Sequence, residues 1–262
     1  MKLGLLQFFP VRFNVEENLQ FIESSLEGCE ADLIVLPEMA LTGYLFPSRE
    51  ILSKYAEEVP GPSVKRLEKL CKKFHFTLVF GMPEKDGGNI YNSAVAVGPD
   101  GYITKYRKLH LFSDEKDFFE RGKEPPPIFE VAKAKVGILI CFDWIFPEAA
   151  RMLAILGADI IAHTSNLVLP YAQSAVVTRC IENRIFWVLA NRTGSEKEGE
   201  KEYVYTGMSR IVDPYGRVLV ECLPEDPSLA IVEIEPEMAR NKRITPRNDI
   251  FQDRRTDVYR LQ

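Results

Sequence analysis

The sequence predicts an α/β protein whose two halves are built alike. Two observations carry this. Segments with the apolar patterning of strands alternate with segments of helical period in the order β-α-β-α-β, and that order runs twice. Each run then closes in two strands joined by a turn signal, GPDG at 98–101 and DPYG at 213–216. Sheets that carry helices on one face and another sheet on the other make four layers, an α-β-β-α sandwich.

In chain order, KLGLLQF opens as a strand. Asn14 caps a helix running to Gly28, with Leu19, Ile22 and Leu26 on one face. DLIVLPE is a short buried strand. PSVKRLEKLCKKF is an amphipathic helix that turns Val64, Leu67, Leu70, Cys71 and Phe74 inward. FTLVFGM, NSAVAV and YITKYRK are strands, the last two joined by GPDG. The second half repeats the order. KVGILI is strand, PEAARMLAIL is helix stopped by Gly157, and DIIAH is strand. Residues 171–183 form a helix, and IFWVLAN is strand. GMSRIVD and GRVLVE flank DPYG, and SLAIVEI is the closing strand. No Gly/Ser/Pro-rich linker separates the halves, and the charged stretch 109–127 carries aromatics, so residues 1–262 read as one domain. Residues 245–262 read as a polar arm with Phe251 and Tyr259 as anchors, placed at an oligomer interface.

The 262 residues, 46% hydrophobic and 27% charged, are enough to bury a large core. A net charge of -5 argues against nucleic acid as a partner. No apolar run spans a membrane, and MKLGLLQFFPVRF reaches Pro10 and Arg12 too soon for a signal peptide. A cytoplasmic protein is the expectation. Five cysteines without a CxxC pair speak against zinc and against a disulfide framework.

One stretch breaks its own pattern. KVGILICFDWIFPEAAR begins as a core strand and then delivers Cys141 to the point where strand ends and helix has not begun, with Pro147 at the first helical position. Ligands of open α/β sheets bind beyond the carboxyl ends of strands, and helix N–H groups favour a thiolate. Two other strand ends carry matching chemistry. Glu38 follows the apolar DLIVLP, and Lys108 ends YITKYRK. A carboxylate takes a thiol proton, the thiolate attacks an electrophilic carbon, and an ammonium stabilises the oxyanion with the backbone N–H of Phe142. Such chemistry calls for no metal and no organic cofactor.

LPEMALTGY, YRKLHLF and GILICFDWIFPEAAR, in this order, resemble the glutamate, lysine and cysteine motifs of the nitrilase superfamily of carbon–nitrogen hydrolases. NIYNSAVAVGPDG, RCIENRIFWVLANRTG and GMSRIVDPYGRVL add to the resemblance, which covers nearly the whole chain. It implies Cys141 as nucleophile, Glu38 as general base and Lys108 as the stabiliser of the tetrahedral intermediate. Glu115, seven residues beyond Lys108, falls where the family often has a second glutamate. The resemblance also implies the α-β-β-α sandwich and homodimers that pair their sheets.

The expected reaction is hydrolysis of a small non-peptide amide, carbamoyl compound or nitrile to a carboxylate and ammonia through a thioester. Tyr44, Phe46, Phe112, Phe142, Trp144 and Asn166 are the expected pocket residues. Glu38, and Glu115 if it points inward, could accept from a substrate NH₂ group, which favours amides. Competing readings are an acyltransferase on the same acyl-enzyme, a silent binding protein on this fold, and a papain-like pair of Cys141 with His110 or His163. No GxSxG is present, and GSEKEGE has Glu200 where a phosphate loop needs lysine, so it reads as an exposed charged loop.

Overall fold

The computed structural model describes residues 1–259. Its first half runs β1 (Lys2–Gln7), α1 (Val15–Ser25), β2 (Leu33–Val35), α2 (Arg49–Tyr55), α3 (Pro62–Phe74), β3 (Thr77–Asp86), β4 (Asn89–Gly98) and β5 (Gly101–Arg107). A short helix α4 (Glu115–Phe118) and strand β6 (Ile128–Val131) follow. The second half runs β7 (Ala134–Ile140), a 3-10 turn (Cys141–Ile145), α5 (Pro147–Ile155), β8 (Ile160–Thr164), α6 (Ala172–Asn183) and β9 (Phe186–Ala190). Next come a hairpin, β10 (Ser195–Glu198) and β11 (Lys201–Val204), then β12 (Arg210–Val212), β13 (Val218–Glu221) and β14 (Ser228–Glu233).

Two six-stranded sheets result, ordered β14-β1-β2-β3-β4-β5 and β13-β12-β9-β8-β7-β6. In each, three parallel strands (β1, β2, β3 and β7, β8, β9) are joined through helices, and the hairpin pair extends the sheet antiparallel. The echo between the halves is therefore topological.

The alternation of side chains sorts the first sheet into two cores. Leu3, Leu5, Leu33, Val35, Val79, Ala94 and Ala96 face inward and share a core with Val136, Ile138, Ala162 and Val188 of the second sheet. Leu6, Ile34, Leu36, Leu78, Phe80 and Val95 face the other way, onto Leu19, Ile22 and Leu26 of the first helical stretch and Val64, Leu67 and Cys71 of α3. Helices α5 and α6 cover the far face of the second sheet through Leu153, Val176 and Cys180. The layers are α-β-β-α, as the alternating segments predict. Each fully buried Leu or Ile in these layers contributes roughly 1.5–3 kcal/mol.

The helix ends follow their residues. The Asn14 side chain accepts from Glu17 N at 3.2 Å, and α3 starts with Pro62 and ends at His75 in the left-handed region. One expectation needs correction. GSEKEGE is not an exposed loop: Ser195–Glu198 form β10, and Glu196 is 3% exposed. The 109–127 stretch contains α4. Between β7 and α5 the chain forms a 3-10 turn that begins at Cys141, where the strand has ended and the helix has not begun. The arm folds back on its own chain as far as Phe251, whose ring lies under Arg151 and Lys242 at 5.2 and 5.0 Å; Tyr259 is exposed. Residues 260–262 of the expected arm lie outside the described residues.

Candidate active site

Strand ends of both sheets and the start of α4 bring Glu38, Lys108, Glu115 and Cys141 together, and all four are buried. Glu38 follows β2 on a loop that β3 approaches unusually closely. A Cβ at Gly81 would stand 2.5 Å from the Glu38 Cα, so only glycine lets this strand pass. Lys108 follows β5, with its backbone N–H donating to Asn92 O at 2.9 Å. The Lys108 ammonium donates to Glu38 Oε1 at 2.7 Å and to Glu115 Oε1 at 2.8 Å. Asn92 Nδ2 donates to the same two oxygens at 2.6 and 3.2 Å. Tyr44 OH donates to Glu115 Oε1 at 2.8 Å, and Phe112 N donates to Glu115 Oε2 at 2.8 Å.

Glu115 does point inward, but its carboxylate is taken up by protein donors. It holds Lys108, and both of its oxygens already accept hydrogen bonds from the protein. Two oxygens of the cluster are buried and without a partner, Glu38 Oε2 and Asn92 Oδ1, and of these only the first belongs to a carboxylate. An unsatisfied buried carboxylate oxygen is costly, and Glu38 is near enough to Cys141 for its charge to raise the thiol.

Cys141 opens the 3-10 turn with φ +40°, a strained conformation for a residue with a side chain. Its surroundings fix this turn from below. Asp143 Oδ2 accepts from Ile140 N at 2.9 Å and from Tyr106 OH at 3.0 Å, and Oδ1 meets His110 Nδ1 at 2.6 Å. His163 Nδ1 accepts from the Trp187 indole at 3.1 Å, which leaves Nε2–H to donate to the Cys141 carbonyl at 2.9 Å. Neither histidine reaches for the thiol in these bonds: His110 serves Asp143, and His163 serves the Cys141 backbone. The papain-like reading therefore finds no support.

The electrostatics suit a thiol that is neutral at rest. Burial raises the Cys141 thiol well above its usual range and Glu38 adds to this, while Lys108 and the Asn166 backbone amide oppose it. Burial also raises the Glu38 carboxyl, to about 7, against the pull of Lys108. Burial disfavours the Lys108 charge, but Glu115 and Glu38 outweigh it and leave the ammonium raised. A base poised near neutrality beside a buried thiol is suited to take its proton during attack.

Four of the expected pocket residues, Phe112, Phe142, Trp144 and Asn166, do line the small cavity at Cys141, about 20 Å³ in volume, with Leu167, Val168 and Leu169. Both polar atoms of the Asn166 side chain are buried there without partners. Trp144 is also part of the large hydrophobic core around the second sheet. Tyr44 is spent on Glu115 and, with Phe46, lines a neighbouring cavity of about 220 Å³ closed by Phe118, Lys201 and Tyr203. The sequence reading passed over Asn92, Asp143 and Glu196. Asn92 had a signal, a polar residue opening the strand NSAVAV; Asp143 had one in standing two residues after the cysteine.

Paired charges and a strained thiol, without a histidine, on an α-β-β-α sandwich set the molecule apart from papain-like and serine hydrolases. They define a class: cysteine-dependent hydrolases of carbon–nitrogen bonds. Residues 2–244 match the family model of the carbon-nitrogen hydrolases, and the chain belongs to that family. It is 45% identical to a nitrilase of Pyrococcus abyssi over 99% of both chains. It is 32% identical to an (R)-stereoselective amidase of a Pseudomonas species, covering 97% of this chain and 92% of that one. Among solved structures, a mutant amidase from Nesterenkonia sp. AN1 superposes with a TM-score of 0.80 at 25% identity, over 98% of this chain and 97% of the other. In that structure acrylamide has added to the active-site cysteine. No helix among the described residues is long and apolar enough to cross a membrane.

Proposed function

We propose that the chain hydrolyses small amides and carbamoyl compounds, with some aliphatic nitriles accepted, through a thioester on Cys141. The observation that carries this reading is the division of labour within the carboxylate pair. Glu115 is saturated and fixes Lys108, while Glu38 keeps one buried oxygen free and has its pKa raised to about 7 by burial.

Glu38 takes the thiol proton as Cys141 Sγ attacks the carbonyl carbon. The oxyanion that forms is held by the Lys108 ammonium and the Phe142 backbone N–H. Glu38 returns the proton to nitrogen, the C–N bond breaks, and ammonia leaves. Water then gives a proton to Glu38 and attacks the thioester. Collapse frees the carboxylate product, and the thiol is restored. A nitrile enters the same path one water later, through a thioimidate. Glu38 Oε2 favours an amide over a nitrile, because an NH₂ group can donate to it. Phe112, Phe142 and Trp144 wall a compact acyl group, and Asn166 supplies a free donor and acceptor. Tyr44 belongs to this site through Glu115.

The reading also takes residues 1–262 as one domain, a cytoplasmic homodimer with the arm from 245 at its interface. Five free, buried cysteines fit a reducing compartment. The test is kcat/KM for matched amide–nitrile pairs sharing one acyl group, with hydroxylamine added to trap the acyl-enzyme. Amides are expected to be the better substrates. Nitriles faster throughout, with amides inert, would reverse that preference. Transfer to an added amine at the expense of hydrolysis would make the enzyme a transferase.

A further inference from the structure

We propose that Glu196, on the β10–β11 hairpin outside both main sheets, is a positioning residue for the catalytic cluster and acts through Tyr44. The proposal rests on the reading of Cys141, Glu38, Lys108 and Glu115 given above.

Glu196 has a fully buried side chain on a four-residue strand that the sequence makes look solvated. Four donor groups converge on its carboxylate. Oε1 accepts from Arg192 Nη1 at 2.6 Å, and Oε2 accepts from Leu45 N at 2.8 Å and Tyr205 OH at 3.1 Å. Tyr44 N donates to both oxygens, at 3.1 and 3.0 Å. Arg192 supplies the counter-charge, fully buried, with its guanidinium 4.0 Å from the Tyr205 ring. A buried carboxylate tied this way is rigid, because each donor would be stranded by a movement of the others.

The chain that Glu196 grips is the one that carries Tyr44. Gly43 sits at φ +75°, and a Cβ there would stand 2.7 Å from Glu196 Oε1, so the loop presses directly on the carboxylate. Glu196 thereby fixes the Tyr44 backbone, the Tyr44 hydroxyl donates to Glu115 Oε1, and that same oxygen receives the Lys108 ammonium. The hairpin holds a second point on Glu115 as well: Lys201 pairs with Asp114, the residue before it. Two grips from one hairpin set the oxygen that orients Lys108. Tight outer contacts of this kind decide whether a site is well placed or about an ångström too loose.

The experiment is site-resolved alkylation of Cys141 by iodoacetamide across pH, read by mass spectrometry, in the full chain. It needs no substrate, so it stands whether or not the hydrolase reading does. Glu196→Gln is expected to slow Cys141 alkylation about tenfold at pH 7 and move its profile to higher pH, because a less well held Lys108 stabilises the thiolate less. Tyr44→Phe is expected to do the same, and the double variant to be no slower than the slower single, since both act through one hydroxyl. A folded Glu196→Gln with a wild-type profile would overturn the proposal, as would single effects that multiply. Should Glu196→Gln fail to fold, Tyr205→Phe decides: it removes one donor and keeps the ion pair. A shift of about threefold in the same direction is expected, and an unchanged profile overturns it. Loss of turnover on every amide and nitrile in wild-type protein would instead strike the hydrolase reading and leave this cycle readable.

Discussion

The two halves of the sandwich share a topology but bring different physics to the site. The first half contributes charge that is already matched: Glu38 lies against the Lys108 ammonium and Asn92, and the ammonium continues to Glu115, just beyond that half. The second half contributes a thiol at φ +40°, walled by Phe142, Trp144 and Leu167 and held in place through its backbone. One side of the site is preorganised by ion pairs, the other by strain and neutral hydrogen bonds. Buried charges need partners before any substrate arrives, whereas a neutral thiol needs none, so the halves could not have exchanged roles at the same cost.

Removing the second half's contribution has the largest expected effect. Cys141→Ala should abolish turnover, a loss of about 10⁴-fold or more, because without a nucleophile no thioester forms. Ammonia release measured on the preferred amide checks this, and full activity would end the covalent mechanism. The first half should be more graded. Lys108→Arg keeps the charge, but the planar guanidinium is wider than an ammonium packed between Glu38, Glu115 and Asn92. A loss on the order of 10²-fold in kcat is expected, as when an oxyanion donor is removed. Near-normal kcat would mean that the first half supplies potential only, and not an aimed donor.

How much of this contrast could be read from sequence differs between the halves for the same reason. Cys141, Glu38 and Lys108 were legible because each interrupts or ends a core strand, where a polar residue needs an explanation. The sheets were legible because buried strands are continuous apolar runs. What holds the site was not. Glu196 sits in GSEKEGE among charged neighbours, and nothing local says that its side chain turns inward to meet Tyr44, 152 residues away. His163 in DIIAH and Asp143 in CFDW show that they are polar in apolar company, but not which backbone groups they will bond. Glu115 lies beside Lys108, but its engagement by Tyr44, Lys108, Asn92 and Phe112 is a property of the assembled fold that no local pattern shows. Strand β6 and helix α2 were missed because they are short and carry weak periodicity.

A pH profile sharpens the comparison further. With Glu38 raised to about 7 by burial, its base form disappears as pH falls through that value. The logarithm of kcat/KM should therefore fall on the acid side with a midpoint near 7, approaching about tenfold per pH unit. The apparent value belongs to the coupled cluster of the first half and not to Glu38 alone. Lys108→Met should move the limb upward, since the ammonium opposes the rise. A limb centred near 4.5 in the wild type would mean that the carboxylate is not buried when it acts.

The smallest expected effect tests whether the second half runs without charge. His163 accepts from the Trp187 indole and donates to the Cys141 carbonyl, a pairing that needs the neutral imidazole. Burial lowers its pKa from 6.5 to about 4, with the Cys141 carbonyl acting in the opposite sense. The unfolded chain then binds this proton more tightly than the folded one. The stability this contributes is fully present above pH 6.5, declines as pH falls, and is lost once pH passes below about 4. Between pH 7.5 and pH 5 the loss is on the order of 2 kcal/mol from this group. Urea unfolding of wild type and His163→Gln at both pH values isolates it, because the other titrating groups are common to the two proteins. The variant should lose less stability than the wild type over that interval. Equal losses would mean that His163 takes up its proton in the folded state, and that the turn carrying Cys141 tolerates a charge beneath it.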